Sequence, residues 1–480
     1  MMIQQPQWHR KAQIVIAAAA CLLLCILILR QYIQHATHSI PHLNSKETSS
    51  RLPPVGQQRP QHKPSQTTCH DLPGASSVFV VLKTGATESQ IKLPVHLATT
   101  LRCTPHYAIY SDLDEDIATV PIYDVFAGVP DSLKSASPDF AFYHLQHSWR
   151  RAGLNISAIA LASSDMRGAA WTLDKWKFLP LMLRALADAP PSTPWFLFIE
   201  ADTGIVWTNT LRWLQRLDAR QALYVGGQNW LADDIFPFGH GGTGVVLSRP
   251  ALVRLAGMLS AEPDVYERLT AASWAGDYVL ARALREVGVL LTPAWPILQG
   301  ETPWRLEYTE ALWCWPVVSW HHMGQDWIRR IWEFEQVFSG GQGIYSAYDE
   351  GVEDGEDQAG GRRVMRHYHI FEHFVAPHVL RVRERKNWDN MSPIVVLEGE
   401  DGMLVTDLDG CRRVCEEKDE CMQWQWIGDG TCRIGTAVRL GEKVDEVEGE
   451  GVWMTSGWMG ERVERFVEEM RGCKEDWILP

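Results

Sequence analysis

Two continuous apolar runs constrain the fold of this chain more than any other feature. Val78–Leu82 and Trp195–Ile199 are short and uninterrupted by polar side chains. Strands that are buried on both faces, as in parallel sheets covered by helices, have this pattern. A further strand is predicted over Tyr107–Tyr110 and a helix over Trp171–Ala187. Because strands alternate with helices, we expect an α/β domain.

The N-terminal part of the sequence predicts a membrane anchor followed by a stem. Ile14–Leu29 is uninterrupted apolar, and with the two preceding residues it would span about 27 Å as a helix, close to the thickness of a bilayer core. The basic residues lie mainly before this run. We therefore expect a cytoplasmic tail over residues 1–11, a transmembrane signal anchor over 12–30 and a lumenal remainder. Residues 31–74, rich in Pro, Gln, His and Ser, are predicted to form an extended stem.

Composition supports a globular lumenal part. Eight of the ten cysteines follow the predicted anchor, an even number that suits an oxidising compartment. Sequons at Asn155 and Asn390 would be accessible to glycosylation there. The net charge of −14 opposes binding to a phosphate backbone, so nucleic acid is not an expected partner. From the length of the chain we expect one large domain, residues 75–390, and a smaller module, residues 391–480.

Acidic residues follow the second apolar run directly. Glu200 and Asp202 flank Ala201 at the end of the predicted strand, where α/β sheets open into a ligand crevice. Carboxylates at this spacing can face the same way and supply the oxygen ligands that Mg²⁺ or Mn²⁺ prefers. By itself, such a pair is more often a solvated turn or a helix cap.

A glycine-rich turn lies further along the chain. Gly241 and Gly242 belong to the segment Phe238–Gly244, which precedes the apolar run Val245–Ser248. Glycines permit the close approach of a ligand to the backbone. A tight turn that requires positive φ is the more common explanation of such a segment.

The order of these motifs resembles the Fringe-like and core 1 β1,3-galactosyltransferase branch of glycosyltransferase family 31. The similarity extends roughly over residues 78–323. The motifs that carry it are, in chain order, Trp195–Thr203, Leu211–Leu214, Leu223–Gly226, Gly241–Ser248 and Trp274–Asp277.

The resemblance implies a GT-A fold, a UDP-sugar donor, a divalent metal that is usually Mn²⁺, and inversion at the anomeric carbon. Asp202 matches the acid of the family that binds metal and diphosphate, and Glu200 stands where the family has Asp. In the segment Ser319–His322, His321 would be the imidazole ligand, with His322 the less favoured choice.

By the same resemblance, Asp277 matches the general base that acts on the acceptor hydroxyl. Gly276 precedes it where the family has Glu. The implied residues on the donor side are Lys83, Thr84, Gly85, Asp112, Gly241 and Gly242.

The implied activity is transfer of a hexose, galactose or N-acetylhexosamine, from a UDP-sugar to a hydroxyl of a glycan or glycoprotein with a β1,3 linkage. The expected location is a Golgi or other secretory-pathway membrane, with the catalytic domain lumenal. Since Glu200, Ala201 and Gly276 depart from the family pattern, the alternative is a weakly active or inactive protein that binds nucleotide sugar or carbohydrate.

Four closely spaced cysteines mark the C-terminal module, which resembles PAN or apple-like modules. By that resemblance Cys411 would pair with Cys432, Cys415 would pair with Cys421, and the module would bind carbohydrate or protein. The alternative is a structural cap without a ligand of its own, since the sequence indicates no binding residues. Zinc binding is the alternative for these cysteines, but their spacing lacks a CxxC knuckle.

Two other enzyme classes leave traces in the sequence. His369–His373 fits the H-x-x-E-H pattern of inverted zinc peptidases. His240–Gly242 is reminiscent of α/β-hydrolases, but the sequence contains no G-x-S-x-G nucleophile elbow and no P-loop. We expect neither activity.

Overall fold

The structure is a computed structural model that describes residues 69–231, 236–262, 264–339, 364–399, 402–444, 453–470, 472–473 and 477–479. The predicted tail, the anchor and all but the end of the stem lie outside the described residues. Within those ranges, no helix combines the length and the apolar character that crossing a bilayer requires.

Short and long strands alternate with helices along the described chain. The strands are β1 (Val78–Lys83), β2 (His106–Ser111), β3 (Glu115–Ile117), β4 (Val120–Asp124), β5 (Trp195–Glu200), β6 (Gly204–Ile205), β7 (Tyr224–Gly226), β8 (Gln228–Asn229), β9 (Phe238–Gly239), β10 (Val245–Ser248), β11 (Leu291–Pro293), β12 (Leu298–Gln299), β13 (Ser319–Trp320), β14 (Glu384–Lys386), β15 (Trp388–Asp389), β16 (Ile394–Val396), β17 (Gln423–Ile427), β18 (Cys432–Gly435), β19 (Glu442–Lys443) and β20 (Met454–Trp458).

The helices are α1 (Ser89–Ala98), α2 (Asp131–Ala136), α3 (Ala141–Arg151), α4 (Ser157–Ala162), α5 (Ser164–Asp174), α6 (Phe178–Asp188), α7 (Trp207–Gln215), α8 (Arg249–Ala261), α9 (Asp264–Ala271), α10 (Gly276–Glu286), α11 (Glu310–Trp313), α12 (Gln325–Ser339), α13 (His367–Ile370), α14 (Ala376–Val379), α15 (Leu408–Glu417) and α16 (Gly460–Glu469), with a π-helical turn over Phe371–Val375.

A large mixed sheet confirms the predicted α/β class. Its strand order is β11-β7-β10-β5-β1-β2-β4-β3, in which β10 is antiparallel to both neighbours and β3 is antiparallel to β4. The central strands β1, β2 and β5 run parallel. Parallel strands have their carboxyl ends at the same edge of the sheet, so the loops after these three strands meet there.

The central strands are buried on both faces, as their continuous apolar sequence predicts. In β5, Phe196 and Phe198 contribute to one hydrophobic cluster, while Leu197 and Ile199 contribute to the other. Successive side chains of a strand point to opposite faces, so an uninterrupted apolar run supplies a core on each side. The predicted strands over residues 78–82, 107–110 and 195–199 are confirmed.

The helix predicted over Trp171–Ala187 is interrupted. A 3₁₀ turn over Lys175–Lys177 separates α5 from α6. Within this turn, the Trp176 Nε1 atom donates to Asp139 Oδ2 over 2.9 Å and the Lys177 Nζ atom donates to Thr84 O over 2.9 Å. Both contacts are with residues distant in sequence, so local helical periodicity does not predict the interruption.

A smaller antiparallel sheet forms the C-terminal part of the described chain. Its order is β14-β20-β17-β18-β16, and it includes β14, which precedes residue 391. Disulfides join Cys411 to Cys432 and Cys415 to Cys421, which confirms the predicted pairs. Because all four sulfur atoms are bonded in these two disulfides, the zinc alternative for these cysteines is excluded.

The C-terminal sheet packs against the α/β part. A disulfide joins Cys314 to Cys473, and the Tyr308 amide donates to Val438 O over 3.0 Å. Another disulfide joins Cys69 to Cys103. All eight cysteines among the described residues are therefore paired.

The two sequons differ in accessibility. Asn155 is exposed, as predicted. Asn390 is fully buried, and its Nδ2 atom donates to Trp424 O over 3.0 Å and to Gly457 O over 3.4 Å. The prediction that Asn390 is accessible is wrong, because its amide group is part of the packing of the C-terminal sheet.

Candidate functional site

The residues selected from the sequence converge on one cavity with a volume of about 470 Å³ at the carboxyl edge of the large sheet. The loop after β1, the turn after β2 and the turn after β5 all reach it. The lining includes Lys83, Thr84, Gly85, Asp112, Glu200, Asp202, Gly242, Asp277 and His321. Gly241 lies beside it, since the Gly241 amide donates to Asp277 Oδ2 over 3.1 Å.

One wall of the cavity carries a group of side chains able to hold a metal ion. Ligand atoms of Asp202, His321 and His322 all lie within 4.8 Å of one another. The antiparallel pairing of β6 with β13 explains this proximity, because β6 follows Asp202 and β13 precedes His321. The Met323 amide also donates to the backbone oxygen of Asp202 over 2.8 Å.

An unusual backbone conformation brings both imidazoles to the same side. His322 has a φ of +58°, in the left-handed region that a residue with a side chain rarely adopts. Its ring stacks on that of His321 with the centroids 3.8 Å apart. One carboxylate and two imidazoles form a donor set that suits Mn²⁺ and other first-row divalent ions. His322, the less favoured choice from the sequence, thus belongs to this group.

Asp202 is the negative centre of this wall. Its Oδ1 atom lies 3.4 Å from His321 Nε2 and its Oδ2 atom lies 3.2 Å from Lys92 Nζ. Burial favours the neutral carboxyl, but the hydrogen bond with His321 and the charge of Lys92 outweigh it and lower the pKa of Asp202 well below its usual range. Asp202 is therefore ionised at neutral pH, as a metal ligand must be.

The carboxylate of Glu200 has different partners from that of Asp202. Its Oε1 atom lies 3.1 Å from Lys83 Nζ, whereas its Oε2 atom lies 3.9 Å from His321 Nε2. Lys83 is buried and also donates to Asp174. Burial opposes the charge of Lys83, but the carboxylates of Asp174 and Glu200 outweigh that effect and raise its pKa. Glu200 thus neutralises a buried cation and lies outside the group of three potential ligands.

The glycine turn allows the backbone to approach these side chains closely. A Cβ atom on Gly242 would lie 2.2 Å from His321 Nε2, and one on Gly241 would lie 2.8 Å from Glu200 Oε1. Neither glycine has positive φ, whereas Gly244 does, with a φ of +87°. Glycine is therefore required at positions 241 and 242 by close packing. Only at Gly244 is it required by a tight turn with positive φ.

Asp277 lies on another part of the cavity wall, at the N-terminus of α10. Its Oδ2 atom accepts from the Gly241 amide and its Oδ1 atom accepts from the Tyr278 amide over 2.8 Å. Burial is the main cause that raises the pKa of Asp277, and the charge of Glu200 adds to it, while His240 and the hydrogen bond from Gly241 oppose it. Among the described residues, no lysine or arginine forms an ion pair with Asp277.

Packing explains the glycine at position 276. A Cβ atom there would lie 2.2 Å from Phe178 Cδ2 and 2.8 Å from Lys175 Cα. Any larger residue would push α10 away from the turn between α5 and α6. The position of Phe178, which is buried against this segment, therefore accounts for the glycine at 276.

Asp112 lines the cavity but is held by protein groups. Its Oδ1 atom accepts from the Ala86 amide over 2.7 Å and lies 3.4 Å from Lys177 Nζ. Its Oδ2 atom accepts from Gln146 Nε2 over 2.8 Å. Asp112 is almost fully buried, so in this arrangement it fixes the loop after β1.

Several cavity residues were not predicted from the sequence. They include Lys92, Trp171, Asp174, Lys177, His240 and Trp274. The cluster Asp174–Lys177 carries a signal that could have been used, because charged residues interrupt an otherwise apolar helical pattern. Lys92 has no such signal, since its relevance depends on contacts with a segment far away in sequence. His240 lies within the glycine-rich segment but was not selected as a site residue.

The H-x-x-E-H segment does not form a comparable group. His369 is buried and its Nδ1 atom accepts from the Arg366 amide over 2.9 Å. The His373 ring stacks on Phe334 with the centroids 4.4 Å apart. In the described part of the chain, the side chains able to hold a metal together do not include His369 or His373.

Comparisons with protein-family models and with curated proteins give no match for this chain. The functional assignment therefore depends on the geometry and chemistry of the cavity, together with the order of the sequence motifs.

Proposed function

We propose that the chain is a metal-dependent glycosyltransferase that transfers a hexose from a UDP-sugar to a hydroxyl of a glycan or glycoprotein with inversion. One observation carries this proposal. The same cavity has a carboxylate–imidazole group on one wall and, on another, a buried carboxyl that forms no ion pair with a lysine or arginine among the described residues. Inverting transfer needs these two functions in separate groups, because a carboxylate bound to metal is a poor base.

The proposed role of each side chain follows from its surroundings in the cavity. Asp202, His321 and His322 would hold the metal, which would neutralise charge on the departing diphosphate. Asp277 would remove the proton from the acceptor hydroxyl, since its raised pKa makes it a stronger base than an exposed carboxylate. Lys83 is held on the donor side of the cavity by ion pairs with Glu200 and Asp174.

The architecture supports the proposed GT-A class and membership of glycosyltransferase family 31. The cavity lies at the carboxyl edge of a mixed sheet, where α/β folds bind nucleotides. The predicted donor-side loop after β1 and the glycine turn before β10 both border it. UDP-sugar and Mn²⁺, or Mg²⁺, are accordingly the proposed donor and cofactor.

The disulfides support the proposed compartment. Disulfides persist mainly in oxidising environments, and the described cysteines are all paired. A Golgi or other secretory-pathway location, with the cavity in the lumen, is consistent with this chemistry. The carbohydrate or protein ligand of the C-terminal module stays a prediction.

A panel of UDP-sugars tests the proposal. The full-length protein is incubated with each donor in the presence of Mn²⁺ or of a chelator, and UDP release is measured before and after addition of acceptor glycans. We expect release from at least one donor, loss of release with the chelator, and no release from the Asp277→Asn variant. UDP binding without release from any donor and acceptor would support the alternative of an inactive binding protein.

Metal analysis tests the competing enzyme class. Stoichiometric zinc that is lost when His369 and His373 are replaced would favour a zinc peptidase and contradict the proposed function. The matched control replaces His321 and His322, which should remove Mn²⁺ binding. Replacement of His369 and His373 should leave Mn²⁺ binding unchanged.

A further inference from the structure

Two exposed tryptophans form part of the cavity lining. The Trp171 and Trp274 side chains stack with their ring centroids 5.5 Å apart and an interplanar angle of 26°. Their residues remain 53% and 54% exposed. Indole rings are large apolar surfaces, and two of them exposed side by side form an apolar patch of the kind that ligands cover.

The tryptophan pair is fixed by the same segments that fix Asp277. Trp171 lies on α5, and Trp274 lies immediately before α10, three residues from Asp277 along the chain. The intervening Gly276 packs directly on Phe178. The pair therefore belongs to the Asp277 side of the cavity, whereas Asp202 and His321 belong to the wall built by β5, β6 and β13.

The rest of the cavity is strongly polar. Lys83, Lys92, Asp174 and Glu200 contribute charged groups to its lining. A ligand that fills this space must offer an apolar surface to the indoles and polar groups to the remainder. A pyranose ring has this character, because its C–H bonds form a flat apolar patch while its hydroxyls project from the edge.

We propose that Trp171 and Trp274 form the acceptor subsite, in which the indoles bind the C–H face of a pyranose ring whose reacting hydroxyl is directed towards Asp277. This inference rests on the proposed function and deepens it. The acceptor is accordingly a glycan with a terminal sugar, and not a serine or threonine hydroxyl of an unmodified peptide.

The test uses the variants Trp171→Ala and Trp274→Ala, with Trp171→Phe and Trp274→Phe as conservative partners. Trp453→Ala is the matched control, because Trp453 is also exposed, 49%, but does not line the cavity. Saturation-transfer NMR on the full-length protein measures binding of methyl β-galactopyranoside and methyl β-glucopyranoside, with and without UDP and Mn²⁺. UDP affinity is measured separately by calorimetry.

We expect each alanine variant to weaken binding of at least one methyl glycoside by about tenfold, with most of the affinity retained by the phenylalanine variants. The strongest saturation should fall on the C–H protons of one ring face. UDP affinity should be unchanged in all the variants, and Trp453→Ala should match the wild type in both measurements. A far-UV spectrum and thermal midpoint like those of the wild type confirm that each variant is folded.

Three results would overturn the inference. Sugar binding could be unaffected in both alanine variants, no methyl glycoside could bind to the wild type, or an unmodified Ser/Thr-containing peptide could bind in the sugar's place and lose affinity in the alanine variants. Absence of UDP binding in the wild type would contradict the proposed function instead. Sugar binding measured without nucleotide separates failure of the proposed function from failure of this inference, because sugar binding that depends on the tryptophans does not require UDP.

Discussion

Asp202 and Asp277 are the same residue type in one cavity, yet their surroundings shift their pKa values in opposite directions. Burial raises the pKa of both carboxyls. At Asp202, the contacts with His321 and Lys92 outweigh burial, whereas at Asp277 burial prevails over His240. The sequence does not reveal these opposite pKa shifts, because Lys92, which helps to lower the pKa of Asp202, is 110 residues away from it.

The pH dependence of transfer should report the ionisation of Asp277. A general base must be deprotonated to accept a proton, so the rate should rise with pH through the raised pKa of Asp277. We expect the acidic limb of kcat against pH to lie above the ordinary range of an aspartate. Initial rates measured at saturating donor and acceptor between pH 4 and 9 check this expectation.

The Asp277→Asn variant is the control for that profile. Asparagine preserves the shape of the side chain and can still accept from the Gly241 amide, but it cannot take up the proton. We expect UDP affinity close to that of the wild type and a loss of transfer of at least about a hundredfold. Loss of UDP binding together with transfer would mean that Asp277 belongs to the donor site.

The sequence anticipates the principal acids and His321 but not their partners. Asp202 and Asp277 were identified by their place in ordered motifs. Lys83, which lies 3.1 Å from Glu200, was predicted as a donor-side residue without the ion pair that holds it. His322 belongs to the metal group and has a left-handed backbone conformation that no local pattern reveals.

At the scale of elements, the glycine turn determines where His321 can lie. Gly242→Ala would bring a methyl group against the His321 ring, 2.2 Å from Nε2, so the ring or the turn must move. We expect Mn²⁺ affinity to fall by at least about tenfold, because metal sites tolerate little displacement of a ligand. Calorimetric titration of Mn²⁺ and thermal unfolding of the same variant measure the two effects.

Gly257→Ala is the matched control for this substitution. Gly257 is an exposed residue within α8, and a Cβ atom there meets nothing within 4 Å. The change should leave Mn²⁺ affinity unaltered and stabilise the protein by up to about 1 kcal/mol, since alanine is the better helix former. Equal loss of Mn²⁺ binding in both variants would contradict the specific role of Gly242.

Elements with a strong local signal could be predicted, and those shaped by distant contacts could not. The central strands follow directly from their apolar runs, because burial on both faces demands such a sequence. The turn over Lys175–Lys177 depends instead on the position of Thr84 and Asp139. Its consequence for the site is large, since this turn carries Lys177 into the cavity and brings Lys175 against Gly276.

At the scale of the whole molecule, the covalent links differ in how well the sequence predicts them. The pairs Cys411–Cys432 and Cys415–Cys421 were expected from the resemblance of this segment to PAN or apple-like modules. Cys314 and Cys473 are 159 residues apart, and their pairing depends on how the C-terminal part packs against the α/β part. The predicted boundary between residues 390 and 391 stays a prediction.

Acid should destabilise the folded protein through two buried histidines. His96 and His367 are fully buried, and the Nε2 atom of each lies 3.0 Å from a backbone oxygen, that of Ala201 and that of Pro296. Burial lowers the pKa of each to about 4, against an ordinary value of 6.5. Below pH 6.5 these histidines bind protons in the unfolded chain but stay neutral in the folded chain, so stability falls as pH decreases towards 4.

Because of its lowered pKa, each of these histidines should lower the free energy of unfolding by about 3 kcal/mol at pH 4 relative to neutral pH. Urea unfolding of the wild type and of His96→Gln and His367→Gln at pH 7 and pH 5 measures this effect. The loss of stability between the two pH values should be smaller in each variant than in the wild type. An identical loss in all three proteins would show that other groups cause the acid sensitivity.

Calorimetric titration of UDP, with and without Mn²⁺, against the wild type and Asp202→Ala tests the proposed donor site most directly. Asp202 is the carboxylate on which the metal group depends. We expect Mn²⁺-dependent UDP binding to the wild type and its disappearance in Asp202→Ala, with Gly257→Ala behaving like the wild type. UDP affinity in Asp202→Ala equal to that of the wild type, with Mn²⁺ present, would contradict the assignment of the cavity as a metal-dependent nucleotide-sugar site.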